Sequence, residues 1–311
     1  MKEMTTEELL KEIEENHNNS LFEEIFKRRD KELYRTALFY KGTKINYLTL
    51  KYNVIRYAKT LKAYGIKKGD EIPICMANTP EFIYLLGGIS LIGAKANIFG
   101  EGFDKDYITE IINGCNSDIL FATDDKYSVI DDSVKKSKNK RVVLISLTES
   151  LLNGKNPYIK LEKKWYDFKD RRNEIKDNSS RFMFSSEFLN LGKEYKGNYI
   201  EKVNLDDEFT ITYSSGSTNS SRPKAIVHDV KSYIVMGIYH DPKISKVPSM
   251  KNLRMLAHIP THSNTNIMSC ITDPLMQGSE IAVEPIYTPD HFVYSLLINK
   301  PSFVTATRSF F

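Results

Sequence analysis

EIPICMANTPEFIYLLGGISLIGAKANIF, residues 71 to 99, decides the fold class. An apolar strand-like run (EIPICM, 71 to 76) is followed by Thr79 and Pro80, then an apolar helical stretch, Gly93, and a second strand-like run (AKANIF, 94 to 99). Threonine caps helix N-termini, and proline at the first helical position gives up only an N–H that has no partner there. Glycine supplies the positive φ with which many helices end. Two short, continuously apolar strands joined by one helix indicate parallel strands whose sheet is covered on both faces. The apolar run from Phe82 to Ala94 is shorter than the roughly 18 residues that a membrane span needs, so it reads as a buried helix.

The same alternation extends in both directions. Upstream, ALFYKGTKINY reads as a hairpin turning at Lys41-Gly42, and Leu50, Val54, Ala58 and Leu61 recur at helical spacing before Gly65. Downstream come a helix around Tyr107 to Ile112, strand DILFAT (118 to 123), a weaker helix near Tyr127 to Val134 and strand RVVLIS (141 to 146). Residues 150 to 205 break the rhythm with the charged run KLEKKWYDFKDRRNEIKDNSS, which predicts a solvated connection with one short helix near Ser185 to Leu191. A second alternation follows: strand FTITY (209 to 213), a polar loop, strand AIVH, a helix from Val230 to Tyr239 capped by Asp229, strand RMLAHI (254 to 259), and a helix around Asn266 to Met276. Gly278, strand EIAVEP (280 to 285), a helix opened by Thr288-Pro289 and strand SFVTAT (302 to 307) complete it. The expectation is an α/β protein of two successive layered subdomains with mainly parallel sheets. The first, residues 1–205, carries the N-terminal helices, the hairpin and the charged connection; the second, residues 206–311, is expected to be incomplete at its C-terminus.

The 44 Lys and Arg against 40 Asp and Glu leave a formal charge of +4, too small in a chain of this size to indicate a nucleic-acid or membrane partner. Cys75, Cys115 and Cys270 stand singly in apolar surroundings, without CxxC spacing, and read as buried thiols rather than a disulfide framework or zinc site. The N-terminal MKEMTTEELLKEIEEN is acidic and amphipathic, with Thr5 and Glu8 spaced as a capping box, and lacks the apolar centre of a secretion signal. A cytoplasmic location is the expectation.

The loop after FTITY carries the chemistry. YSSGSTNSSRPKAIVH, residues 213 to 228, places five serines and a threonine around Gly216 and ends in Pro223-Lys224. Hydroxyls and free backbone N–H groups wrap phosphate oxygens, and an ammonium offsets their charge. The P-loop pattern fails here, because Arg222-Pro223 precede Lys224 and Ala225 follows it. Composition alone leaves a polar surface turn equally open.

The stretch resembles the phosphate-binding signature of the adenylate-forming (AMP-binding) superfamily, acyl-CoA synthetases included, with Tyr213, Ser214, Ser215, Gly216, Ser217, Thr218, Pro223 and Lys224 matching in order. The block INYLTLKYNVIRYAKTLKAYGIKKGDEIPICMANTPEFIYLLGGISLIGAKAN is similar to the family's N-terminal block, and SSEFL followed by DDEFTITYSSGST is similar as well, so the resemblance covers nearly the whole chain. It implies the N-terminal part of a synthetase large domain that uses ATP and Mg2+ to turn a small carboxylic acid into an acyl-adenylate. The acyl group then passes to a thiol, CoA or that of a carrier protein. It places Ser214, Ser215, Gly216, Ser217, Thr218 and Lys224 at the β- and γ-phosphates. It makes His262, in AHIPTHSNTN, a candidate for the edge of the acyl pocket, one residue short of the family's Pro-x-x-His spacing from Pro260. His258 and His228 read as core or strand-edge histidines, and Tyr213 as a strand residue packed inside.

The sequence also departs from the pattern. Asn219 stands where the family has glycine, two extra residues separate Thr218 from Pro223, Ala225 replaces a glycine, and AKANIFGEGFD lacks the usual proline. The family's Tyr-Gly-x-Thr-Glu and Thr-Gly-Asp segments and its late catalytic lysine have no counterpart, so the expectation is the N-terminal portion of a longer synthetase, with the activity in the full-length protein and this chain a fragment not competent alone. A non-catalytic nucleotide- or partner-binding fragment and a carrier-loading adenylation unit are the alternatives.

Overall fold

A computed structural model describes residues 6–16, 19–137, 140–151, 181–214, 222–241, 248–286 and 288–306. The chain opens with helices α1 (Thr6–Asn16) and α2 (Leu21–Arg28), then the hairpin β1 (Thr36–Tyr40) and β2 (Thr43–Asn46). Lys41 and Gly42 both take positive φ, 46° and 88°, the geometry of a tight turn matched to the twist of its strands. Helix α3 (Tyr47–Tyr64) ends at Gly65 with φ 105°.

The unit read from residues 71–99 is β3 (Glu71–Cys75), α4 (Pro80–Ile92) and β4 (Lys95–Ile98), with the Thr79 side chain capping α4 and Gly93 left-handed behind it. Its strands are parallel neighbours, with Glu71 opposite Lys95 and Ile74 opposite Ile98. The glycine pair in α4 has a packing reason: a Cβ on Gly88 would sit 2.9 Å from the Ala58 backbone nitrogen, and one on Gly87 2.6 Å from Val54. Gly88 therefore lets the α3 backbone come close to α4, and Gly87 leaves room for the side chains of Val54 and Phe22.

Helix α5 (Lys105–Gly114), β5 (Ile119–Thr123), α6 (Tyr127–Lys136), β6 (Arg141–Ile145), β7 (Phe182–Phe184) and α7 (Ser185–Leu191) follow. Then come β8 (Glu208–Tyr213), β9 (Ala225–Asp229) and α8 (Val230–Tyr239), the last capped by Asp229 as expected. Strand β10 (Arg254–Ala257), a π-helix (Asn266–Thr272) running into α9 (Asp273–Gln277), β11 (Glu280–Val283), α10 (Pro289–Asn299) and β12 (Phe303–Val304) complete the described chain.

Among the described residues the strands form a seven-stranded sheet, β7-β6-β5-β3-β4-β8-β9, and a five-stranded sheet, β12-β10-β11-β1-β2. Both are parallel except where the hairpin pairs β8/β9 and β1/β2 close an edge. The α/β class with mainly parallel sheets is as the sequence indicated. One apolar core runs through both sheets, taking in Ile72 and Ile74 of β3, Phe82 to Ile92 of α4, and Ile281 and Val283 of β11.

Three features differ from the sequence reading. Each sheet draws strands from both sides of residue 205: β1 pairs with β11, and β8 with β4. Strand partners are chosen by edge and face complementarity, which order along the chain does not encode. Strand β7 escaped notice because three residues are too few to show a period beside the charged run. The helix expected around Asn266 to Met276 is wound as a π-helix up to Thr272 and as α beyond it, and Pro274, lacking an N–H, sits where the two geometries meet. Thr5 lies outside the described residues.

Candidate active site

Strand β8 is buried from Phe209 to Tyr213 and lies between β4 and β9. Its C-terminal end leads into the hydroxyl-rich loop. The neck of that loop is closed by a reciprocal pair: the Ser214 N–H donates to the Lys224 carbonyl at 2.9 Å, and the Lys224 N–H donates to Ser214 Oγ at 2.9 Å. The Lys224 side chain is exposed and makes no ion pair with another described residue. Ser215, Gly216, Ser217 and Thr218 lie outside the described residues.

Helix α5 grips the other arm of the neck. Asp104 caps it by accepting from the backbone N–H groups of Asp106 and Tyr107. The Tyr107 hydroxyl donates to the Pro223 carbonyl at 2.7 Å, while Arg222 lies over the Tyr107 ring at 5.5 Å and pairs with Glu110 at 2.7 Å. The Tyr213 hydroxyl donates to Asn97 Oδ1 at 2.8 Å, and burial drives its pKa well above the usual phenol value. Tyr213 is thus the buried strand residue that the sequence indicated.

Phe103 connects this neck to a cleft. Its ring stands edge-on to Tyr213 at 5.4 Å and to His262 at 5.7 Å. His262 rests on the backbone of Gly100, where a Cβ would come within 3.0 Å of the imidazole. Burial lowers the His262 pKa, with Glu101 opposing in part, so the ring is neutral near pH 7.

The cleft itself measures about 320 Å3. Its walls come from the segments just past β3, β4 and β5 of one sheet and past β10 and β11 of the other, and include Asn78, Gly100, Lys126, His258, His262 and Thr288. Carboxyl ends of parallel strands are where open α/β sheets bind ligands, because the connecting loops diverge there and leave a crevice. Three bonds stitch the two walls together. Asn78 Nδ2 donates to the Ile259 carbonyl at 2.7 Å, Asn266 Nδ2 to Asn78 Oδ1 at 2.8 Å, and the Thr261 hydroxyl to the Met76 carbonyl at 2.6 Å.

Lys126 is the cationic side chain of this wall. It pairs with Asp125 at 2.8 Å and with Glu101. Burial pushes its pKa down, but the two carboxylates outweigh that and hold it above the ordinary lysine value. A permanently charged ammonium therefore borders the cleft.

Among the described residues no group of three or more His, Cys, Asp or Glu side chains could hold a metal ion, and no helix is long and apolar enough to cross a membrane. Cys75, Cys115 and Cys270 are free and buried, and burial raises the pKa of all three thiols.

The sequence profile of AMP-binding enzymes matches residues 26–311. The chain belongs to the AMP-binding enzyme family. An acetyl-coenzyme A synthetase of Methylocella silvestris is 27% identical over 216 residues, covering 65% of this chain and 30% of the relative. A 3-hydroxypropionyl-coenzyme A synthetase of Sulfurisphaera tokodaii is 28% identical over 212 residues, covering 65% and 29%. Among solved structures, an anthranilate CoA ligase in complex with anthranoyl-AMP superposes with a TM-score of 0.72 at 14% identity, over 92% of this chain and 49% of that one. Coronafacic acid ligase from Pectobacterium brasiliense gives 0.69 at 18% identity, over 93% and 50%. These two superpositions establish the fold. The chain spans about 30% of the length of these two curated relatives.

In this AMP-binding fold, Ser214 and Lys224 meet at the loop neck, and His262 lines the cleft, with the Phe103 ring between it and Tyr213. His258, expected as a core histidine, is buried against Phe292 at 4.7 Å and also lines the cleft. Sequence reasoning missed Glu101, Asp125 and Lys126. A signal was present, since all three fall two or three residues past the apolar runs read as strands, where loop residues of parallel sheets reach a shared crevice.

Proposed function

We propose that the full-length protein, of which these residues are a part, activates a carboxylic acid with ATP and passes the acyl group to the thiol of CoA. A carboxylate oxygen attacks the α-phosphorus, the bond to pyrophosphate breaks, and an acyl-adenylate forms; the thiol then attacks the acyl carbon and AMP leaves. Ser214, Ser215, Gly216, Ser217, Thr218 and Lys224 take the β- and γ-phosphates, and His262 borders the acid. One observation carries this reading: Ser214 and Lys224 close a hydroxyl-rich loop at the carboxyl end of a buried strand, leaving an exposed ammonium beside it. Such a transfer depends mainly on positioning and on offsetting phosphate charge, and these groups supply both. The family match and the CoA synthetase names of the relatives support the substrate classes. Residues Ser214 and Lys224 suit a nucleotide whose Mg2+ takes most of its ligands from phosphate and water. The test is acid-dependent exchange of labelled pyrophosphate into ATP across a panel of short, branched and aromatic acids. Exchange with at least one acid, lost in Lys224→Ala, is the expected result; no exchange with any acid overturns the reading.

A further inference from the structure

A closed ring of polar side chains joins the phosphate-loop strands to the turn that carries His262. Thr210 and Thr212 lie two residues apart on β8. Thr210 Oγ1 is 2.6 Å from the Tyr233 hydroxyl on α8, and that hydroxyl donates to Asn264 Oδ1 at 2.6 Å. Asn264 Nδ2 reaches His228 Nδ1 on β9 at 3.4 Å, and His228 Nε2 is 3.1 Å from Thr212 Oγ1. Tyr233 is fully buried, Thr212 nearly so, and His228 half-buried. Asn264 stands two residues beyond His262, in the turn that follows β10 of the other sheet. His228 stands four residues beyond Lys224.

The bond directions follow from the Asn264 amide, which turns its oxygen to Tyr233 and its nitrogen to His228. The Tyr233 proton goes to Asn264, so Thr210 donates to Tyr233. An amide nitrogen is only a donor, so His228 Nδ1 accepts, and in the neutral ring the remaining proton sits on Nε2 and points to Thr212. A proton on Nδ1 would set two donors face to face. Turning the Asn264 amide over relieves that conflict only by reversing the Tyr233 and Thr210 bonds as well.

We propose that neutral His228 is a positioning residue that ties the His262 turn to the strand pair carrying the phosphate loop, and that protonating it releases the turn. The surroundings of His228 favour the neutral ring. Burial lowers its pKa from the ordinary value near 6.5, and Asp229, next to it on β9, opposes only in part. From the other elements packed on it, β8 presents Thr212, the turn presents Asn264, and α8 presents Tyr233, whose hydroxyl stays protonated because burial raises its pKa. The release therefore comes on the acid side of the ordinary histidine value.

The inference rests on the ligase reading for its kinetic arm, and the test separates the two. In 15N-labelled protein, long-range proton–nitrogen correlations follow the His228 ring and the Asn264 side-chain amide from about pH 8 to about pH 5. The expected result is an Nε2–H ring at the alkaline end and an Asn264 amide that shifts through the same midpoint as His228. In parallel, pyrophosphate exchange in wild type should fall about tenfold over the acid limb, and less than about twofold in His228→Gln, whose amide cannot gain a charge. Equal acid limbs in the two proteins overturn the proposal, as does an Asn264 amide that ignores the His228 titration. If wild type exchanges pyrophosphate with no acid, the ligase reading falls, and the resonance measurement, made on wild type, still decides the coupling.

Discussion

Lys41→Met tests whether a buried ion pair holds the cleft wall. Lys41 Nζ lies 2.7 Å from both carboxylate oxygens of Glu284, and the two side chains are 3% and 1% exposed. Lys41 belongs to the β1–β2 turn, and Glu284 immediately precedes Pro285 and Ile286 of the cleft. Removing one partner of such a pair leaves a charge in a dry interior, at a cost of about 3–5 kcal/mol. Here the Ser295 hydroxyl at 3.0 Å and the Ile286 N–H at 3.3 Å still donate to Glu284 after the lysine is gone. The expected loss is therefore at the lower end, about 3 kcal/mol. In Lys41→Met/Glu284→Gln the stranded charge is removed as well, and what is lost is the neutral hydrogen bonding, about 1–2 kcal/mol. The double variant should thus be more stable than Lys41→Met alone. Urea unfolding followed by circular dichroism and by intrinsic fluorescence, with coincident transitions required, measures these two variants and Glu284→Gln alone, and from the three their coupling. A loss below about 1 kcal/mol for Lys41→Met, or additive losses in the double variant, would refute the reasoning.

Three further outcomes are expected. Lys224→Ala should weaken ATP binding about 10- to 100-fold, the worth of a charge-assisted contact, while thermal stability stays within error, because the neck bonds use the Lys224 backbone and Ser214; titration calorimetry with ATP and a melting curve check both halves. Glu81, buried in the first turn of α4 and accepting from Ser150, has its pKa raised to about 8 by burial and by the nearby Glu149 carboxylate. The folded state then holds a proton that the unfolded state has shed, so stability should fall as pH rises from about 4.5 to about 8, and Glu81→Gln should flatten that slope in melting temperatures taken at pH steps. Gly88→Ala should destabilise by about 1–3 kcal/mol, since the new methyl meets the α3 backbone at 2.9 Å; a urea midpoint equal to wild type would show that α3 and α4 separate freely.

Much of the fold was legible because local rules speak through single residues. The Lys41-Gly42 turn, the Thr79-Pro80 start and Gly93 stop of α4, and the Asp229 cap each report a backbone state that few residue types accept. The site was legible in part. Ser214 and Lys224 became candidates through an ordered motif, and His262 through its likeness to the family's Pro-x-x-His pattern. Lys126 with its partners Asp125 and Glu101 was not, because a charged residue in a loop looks the same whether it meets solvent or a cleft.

The sequence by itself determined the α/β class, the parallel strands and the helix ends, since period and turn residues act within a few residues. Only the tertiary structure decided that β1 joins β11 and brings β2 with it, that β8 joins β4, and that His262, Phe103 and Tyr107 link the cleft between the two sheets to the loop that follows β8. Those choices depend on which buried faces and edges fit one another across more than a hundred residues, and that complementarity exists only once the whole chain has packed.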